Sequence, residues 1–317
     1  MVCYSPLKVY RSRRLNKATG KYPIKFSPRS TYTDIDGLFI PCGKCEGCLL
    51  ARSFQWSLRC VCETYSHSES YFLTLTYDEE HLPEGRNLCR AHFQGFMKRL
   101  RWHFRGYKLK VFYCGEYGEK RNRPHYHAII FGLPLSRENI RLFPLNVSRK
   151  GNTNYYSPIL NKIWSYGNVT VGDCNCRTCA YVAQYTLKKN KSNVNVPSCK
   201  VKPFVGASNR SAIGTDFFFK YYEDIFVRGF FNPFSDSKNS GRLYKPPRFF
   251  VKLLEKHFPL VWFKYVELPK RIEIHRRRML WYRDRALFAS QLDEKLKMRY
   301  YKERQTLRRL EARRDLL

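Results

Sequence analysis

The sequence predicts an α+β protein in which one sheet is covered by amphipathic helices, with a cysteine-rich segment ahead of it and a basic helical stretch behind. Three observations predict this. Apolar residues alternate at the strand period in Tyr71 to Tyr77 (YFLTLTY), and Lys110 to Glu116 and Pro124 to Phe131 read as two further strands. Between the first strand and the second, Phe93, Phe96, Met97, Leu100 and Phe104 recur at helical spacing, with Lys and Arg interleaved. The polar turn YGEKRNR joins the second strand to the third as a hairpin.

Taken in order, residues 1–62 are polar and irregular until PCGKCEGCLLARSFQWSLRC, where a cysteine cluster runs into a helix, so residues 1–65 are expected to form a small Cys-rich lobe. The sheet domain then occupies 66–265. Its first strand puts Leu73 and Leu75 on one face, and the helix Arg90 to Phe104 covers one face of the sheet. Further on, Pro158 to Trp164 reads as a short helix, Asn168 to Gly172 as a strand, and Ala180 to Asn190 as a helix that follows a cysteine-bearing loop. Residues 191–241 are rich in Asn, Ser, Gly and Lys and are expected to be mostly loop, interrupted by the aromatic FFFKYYEDIF. Beyond Pro269 there is no proline, and 266–317 reads as a basic helical tail. There is no internal repeat.

Charge sets the class of partner. The chain carries 59 Lys and Arg against 26 Asp and Glu, a net charge of +33. The phosphate backbone is the expected counterpart, because its dense charge row releases counterions on binding. An anionic membrane surface is the rival, but the longest apolar run, Ala128 to Leu135, falls far short of the about 20 residues a bilayer span needs. The opening MVCYSPLKVYRSRR has neither the apolar stretch nor the small-residue cleavage site of a secretory signal. That points to the cytosol, where the 12 cysteines stay reduced. Phe and Tyr suit base stacking beside this charge, although most of them are expected simply to fill the core.

Within RPHYHAIIFG, period-two geometry sends His125, His127, Ile129 and Phe131 to one face and Tyr126, Ala128 and Ile130 to the other. Two imidazoles side by side suit one metal ion, with Tyr126 packing under the sheet; a half-exposed strand with incidental histidines is the bland alternative. Hairpin pairing brings Glu116 opposite, with Glu119 as the fallback. Two imidazoles and a carboxylate leave open positions on a divalent ion, a mixture that suits Mn²⁺ and tolerates Mg²⁺. In AYVAQYTLKK, Tyr181 and Tyr185 share a helical face that Lys188 and Lys189 continue. A metal-polarised phosphate makes a phenol a usable nucleophile; ordinary amphipathic packing explains the same spacing when it is taken alone.

In combination these residues resemble the HUH endonucleases, and within them the gokushovirus-type replication initiators of microviruses. FLTLTYDEEHLP (Phe72 to Pro83) resembles the family's first motif, RPHYHAIIFG its metal motif and YVAQYTLKK its double-tyrosine motif, in the family's order. Similarity continues in PCGKCEGC, GEYGEK, SAIGTDFF and YKPPRFF, up to about Phe250. The resemblance implies an HUH-type central antiparallel sheet flanked by helices and a nucleophile-bearing helix over the histidine strand. It also implies a rolling-circle initiator that nicks the viral origin, stays attached to the 5′ phosphate and later rejoins the displaced strand into circles. The implied partners are single- and double-stranded origin DNA, a host helicase and replication polymerase, and a capsid precursor during packaging, all in the cytoplasm of the infected bacterium. No G-x-x-x-x-G-K-[ST] stretch is present, so unwinding falls to the host helicase. Cys174, Cys176 and Cys179 depart from the family pattern.

Cys42, Cys45 and Cys48 form C-x-x-C-x-x-C, and Cys3 can complete a structural zinc site; an iron–sulfur cluster or plain thiols are the alternatives. The trio Cys174, Cys176 and Cys179 is expected in an exposed loop without an obvious fourth ligand. In the tail, Arg276 to Arg278 and a stripe of Leu280, Leu287, Phe288, Leu292 and Leu296 fit either a solvated helix packed on the body or an arm that tracks DNA. Two further function classes stand beside the nicking enzyme. Charge and aromatics alone support a non-catalytic single-strand-binding or packaging protein, and the cysteine lobe a zinc-dependent regulator without matched finger spacing.

Overall fold

A computed structural model describes residues 3–12, 14–18, 22–27, 38–118, 122–147, 152–188, 201–234 and 242–283; for residues 185–188 it describes the backbone alone. The chain divides into two compact units, one of residues 1–51 and 263–317, the other of residues 52–262.

In the first unit, β1 (Leu7–Arg11) is the centre of a three-stranded antiparallel sheet, with β2 (Ile24–Lys25) on one side and β3 (Leu38–Ile40) on the other. The irregular segment expected before the cysteines is therefore partly strand. These strands are two to five residues long, and β2 is fully exposed, so no alternation betrays them. The helix Leu268–Arg283 is described; the remainder of the expected tail, with Leu287, Phe288, Leu292 and Leu296, lies outside the described residues.

The second unit is α+β. Its seven-stranded sheet is antiparallel throughout. The strands are β4 (Ser70–Tyr77), β5 (Lys110–Tyr117), β6 (Pro124–Phe131), β7 (Phe143–Val147), β8 (Thr153–Tyr156), β9 (Gly167–Asp173) and β10 (Phe204–Ala207), in the order β10-β5-β6-β4-β9-β8-β7. The β5–β6 hairpin pairs as the sequence requires, with Glu116 opposite His125 and Cys114 opposite His127. On the other side of β6, Thr74 of β4 lies opposite His127 and Thr76 opposite His125.

Each face of this sheet is buried under helices, which is why β6 reads as a nearly unbroken apolar run after its histidines. Of the helices, α1 (Glu46–Thr64), whose residues from Arg52 onward belong to this unit, is followed by α2 (Arg90–His103), α3 (Pro158–Trp164), α4 (Cys176–Lys188), α5 (Thr215–Phe226) and α6 (Arg248–His257). Leu73, Leu75, Tyr126, Ala128 and Ile130 pack with Phe93, Phe96, Met97 and Leu100 of α2 and Trp164 of α3. The opposite face carries Phe112, Cys114, Ile129 and Phe131, which pack with Cys60 and Val61 of α1 and with Cys179, Val182 and Ala183 of α4. Burying each such Leu, Ile or Phe contributes about 1.5–3 kcal/mol.

Tyr126 pins the central strand from below. Its hydroxyl donates to the Cys89 carbonyl oxygen at 2.7 Å, accepts from the Cys89 amide at 2.9 Å and lies 2.9 Å from the Tyr77 hydroxyl. Burial pushes the Tyr126 phenol up to about 12, so it stays neutral at physiological pH. On the other face a buried ion pair joins strand to helix: Lys110 Nζ lies 2.7 Å from Glu63 Oε1 and 2.8 Å from Asp216 Oδ2. Burial alone would raise the Glu63 carboxyl, but hydrogen bonds from His67, Lys110 and the Gly214 amide hold it below its ordinary value.

Three expectations are corrected. Residues 191–241 are not mostly loop, because Phe204–Ala207 is the edge strand beside β5 and FFFKYYEDIF lies within α5, with Phe218 and Ile225 buried; residues 189–200 and 235–241 lie outside the described residues. The helix expected from Ala180 begins four residues earlier, at Cys176. In its first turn the Asn175 side chain accepts from the Arg177 and Thr178 amides at 2.9 and 3.0 Å, while Thr178 Oγ1 accepts from the Asn175 amide at 2.8 Å, a reciprocal cap. For the same reason the cysteine trio is not an exposed loop: Cys176 and Cys179 are helical, and Cys179 is fully buried.

Candidate metal centre and nucleophile helix

The candidate centre stands where β5 and β6 run side by side. His125 and His127 point to the face shared by α1 and α4, as the two-residue period demands, and the opposing Glu116 points the same way. Both imidazole Nε2 atoms converge on one carboxylate oxygen: Glu116 Oε1 is 3.1 Å from His125 Nε2 and 3.2 Å from His127 Nε2. Ligand atoms of all three residues lie within 4.8 Å of one another. Glu116 and His127 are buried and His125 is half-buried, so the cluster sits at the sheet surface with one side toward solvent.

The protonation pattern around the cluster is informative. His125 Nδ1 lies 3.1 Å from the Arg123 carbonyl oxygen, which can only accept, so Nδ1 carries the proton and the Nε2 lone pair faces Glu116. His127 Nδ1 lies 3.0 Å from Thr74 Oγ1. A lone pair aimed at a carboxylate oxygen is stable only with a cation between or beside them. Two imidazole nitrogens and one carboxylate, with the outward ring nitrogens held from behind, are a donor set that fits a divalent ion with open positions.

Above this cluster runs α4, and its Tyr181 ring sits edge-on to His127 with centroids 5.3 Å apart. Tyr181 also meets Phe72 edge-on at 6.1 Å, and its side chain is 41 % exposed, so the ring rests on the cluster yet remains accessible. Tyr185 and Lys188 fall on the backbone of the same helix; Lys189 and Glu119 lie outside the described residues.

In the first unit, the sulfurs of Cys3, Cys42, Cys45 and Cys48 lie within 4.8 Å of one another. The Cys45–Cys3 and Cys42–Cys48 separations are 3.7 and 4.0 Å. Four thiolates around a tetrahedral zinc at about 2.3 Å stand about 3.8 Å apart, so this geometry fits. Backbone amides support the sulfurs: Cys42 N donates to Cys3 Sγ, Cys45 N to Cys42 Sγ and Tyr4 N to Cys45 Sγ, at 3.2–3.3 Å. The amides of Cys45 and Lys44 bring the Cys42 thiol down to about 6, whereas burial pushes Cys48 up to about 12. Sequence reasoning missed a third thiol group, in which Cys174 Sγ is 3.9 Å from Cys179 Sγ and Cys60 is buried nearby.

Fold and site together define an α+β protein whose antiparallel sheet presents a His-His-Glu cluster beneath a tyrosine-bearing helix. A family model for replication-associated proteins of the ORF2 type matches residues 70–190, the stretch from β4 through α4 that contains all of these residues. The "Replication-associated protein ORF2" of Spiroplasma virus 4 is 30% identical over 273 residues, 81% of this chain and 82% of that protein. The "Replication-associated protein VP4" of Bdellovibrio phage phiMH2K is 30% identical over 272 residues, 84% of this chain and 81% of its own. The "Replication-associated protein ORF4" of Chlamydia phage 1 is 35% identical over 224 residues, 68% of this chain but 54% of that longer protein. No solved structure matches. The chain belongs to the replication-associated protein family of the microviruses.

Proposed function

We propose that this protein is an HUH-type rolling-circle initiator, a metal-dependent nickase and strand transferase that acts on the viral origin. The observation that carries this reading is the convergence of His125 and His127 Nε2 on Glu116 Oε1, with the exposed Tyr181 ring against His127. His125, His127 and Glu116 would hold one Mg²⁺ or Mn²⁺ ion. When bound, that ion would polarise the scissile phosphate and offset its charge.

The chain's own residues do the rest. Tyr181 presents its hydroxyl to the phosphorus; the new Tyr–O–P bond replaces the P–O3′ bond, the phenol gives up its proton and the leaving 3′ oxygen takes one. One phosphodiester is exchanged for one phosphotyrosine, so bond energy is conserved and no nucleotide is consumed. Tyr185, about one turn (roughly 5.4 Å) further along the axis, would cleave the regenerated origin, after which the freed 3′-hydroxyl displaces the first tyrosine and closes the circle. Lys188 and Lys189 would hold the phosphate on that helix. Non-specific affinity would come from the net charge of +33.

A structural zinc on Cys3, Cys42, Cys45 and Cys48 would stabilise the N-terminal lobe, and host helicase, replication polymerase and capsid precursor would be the later partners. Among the described residues no helix is long and apolar enough to cross a membrane. The test incubates purified protein with supercoiled genomic circles and Mg²⁺ or Mn²⁺. A metal-dependent nicked form carrying covalent protein is expected; binding without any nick would leave the non-catalytic single-strand-binding function in its place.

A further inference from the structure

The two histidines of the cluster are held from behind in different ways, and only one of the holders is a side chain. For His125 the holder is the main chain, through the Arg123 carbonyl oxygen at 3.1 Å. For His127 it is Thr74 Oγ1, 3.0 Å from Nδ1. Thr74 lies directly opposite His127 in the β4–β6 register and directly opposite Thr170 of β9 on its other side. With a strand on each flank, β4 cannot slide without moving Leu73 and Leu75 out of the core, so the hydroxyl is fixed in place. Two residues earlier on the same face, the Phe72 ring stacks on the His127 ring at 5.5 Å and 13° between planes, which sets the orientation of the imidazole plane.

We infer that Thr74 is a positioning residue: by accepting a hydrogen bond from His127 Nδ1–H it holds that imidazole in the tautomer whose Nε2 lone pair faces Glu116 and the ion. This rests on the metal-site reading of the preceding section. The chemistry is general, since an imidazole offers one basic nitrogen only when its other nitrogen carries the proton, and an oxygen acceptor behind the ring selects which one. Thr74 does not touch the reacting phosphate in this scheme. Its effect passes through His127, and because Tyr181 packs on the same ring, a misoriented imidazole would also unseat the nucleophile.

The test uses the full chain with Thr74→Val, which keeps the β-branched shape but removes the oxygen, and Thr74→Ser, which keeps the oxygen. Nitrogen-15 NMR of the imidazoles in metal-free protein at alkaline pH reads the tautomer directly. Mn²⁺ titration followed by electron paramagnetic resonance reads affinity, with His127→Ala as the reference for a lost ligand. Wild type and Thr74→Ser should show His127 protonated on Nδ1. Thr74→Val should show a mixture of tautomers and bind Mn²⁺ about 10–100-fold more weakly, the usual cost of removing such a partner. A His127 tautomer unchanged in Thr74→Val overturns the positioning role whatever the metal does. If the tautomer responds but His127→Ala binds Mn²⁺ as tightly as wild type, the metal-site reading fails, and the ligand-presenting role of Thr74 fails with it.

Discussion

Tyr126→Phe separates what holds the sheet from what performs the chemistry. The substitution removes one oxygen from a fully buried ring and leaves the ring's contacts with Phe93, Trp164 and Phe204 in place. Three interactions disappear together: the bond to the Cys89 carbonyl, the bond from the Cys89 amide and the contact with the Tyr77 hydroxyl. A buried polar group left without its partner costs about 1–3 kcal/mol. Cys89 is only half-buried and can recruit water, and Tyr77 keeps its contact with His92 Nδ1 at 2.9 Å, which places the loss near about 2 kcal/mol. For a unit of this size each kcal/mol lowers Tm by about 2–4 °C, so a fall of about 4–8 °C is expected. Because Tyr126 faces away from His125 and His127, Mn²⁺ affinity should stay near the wild-type value. Thermal unfolding by circular dichroism, paired with Mn²⁺ titration, measures both. An unchanged Tm, or a collapse of metal binding at unchanged Tm, would refute this division of the strand into a pinned face and a working face.

Three further outcomes follow from the same geometry. His125 and His127 both replaced by Ala should abolish nicking while leaving most non-specific DNA affinity, since affinity derives from distributed charge; cleavage at the wild-type rate would remove the metal assignment. Glu116→Ala should lose Mn²⁺ binding because it deletes the one anionic donor of the cluster, whereas Glu119→Ala should do little; calorimetric titration giving the reverse order would exchange their roles. Cys45→Ala should lose both metal and solubility, and elemental analysis of active wild-type protein that found neither zinc nor iron would reduce the four sulfurs to plain thiols.

How much of this was legible in the sequence depends on where each signal lies. Strand β6 runs from Pro124 to Phe131 as expected, because its apolar run stops at the Gly132 turn and its histidines alternate cleanly with Tyr126. The Glu116–His125 pairing followed from the hairpin turn alone. Elements without a buried face were invisible to the same logic: every residue of β7 is exposed and every residue of β8 half-exposed, so neither shows alternation. In α5, a run of aromatics with modest helix propensity concealed a helix whose existence depends on burying Phe218 and Ile225. The early start of α4 did carry a local signal, Asn175 with Thr178 three residues later, although the closely spaced cysteines around it suggest a loop. Thr74 could not have been found from spacing, because its role exists only once β4 is registered against β6.

The central claim is that the tyrosines of α4 carry the DNA. Tyr181 has its ring against His127, and Tyr185 follows it four residues later in the same helix. The most direct measurement digests the covalent protein–DNA adduct formed on a nicked circle and identifies the modified peptide in wild type, Tyr181→Phe, Tyr185→Phe and the double variant. Each single variant should retain an adduct on the remaining tyrosine while losing repeated release of circles, and the double variant should form none. An adduct that persists in the double variant, on any other residue, would contradict the account.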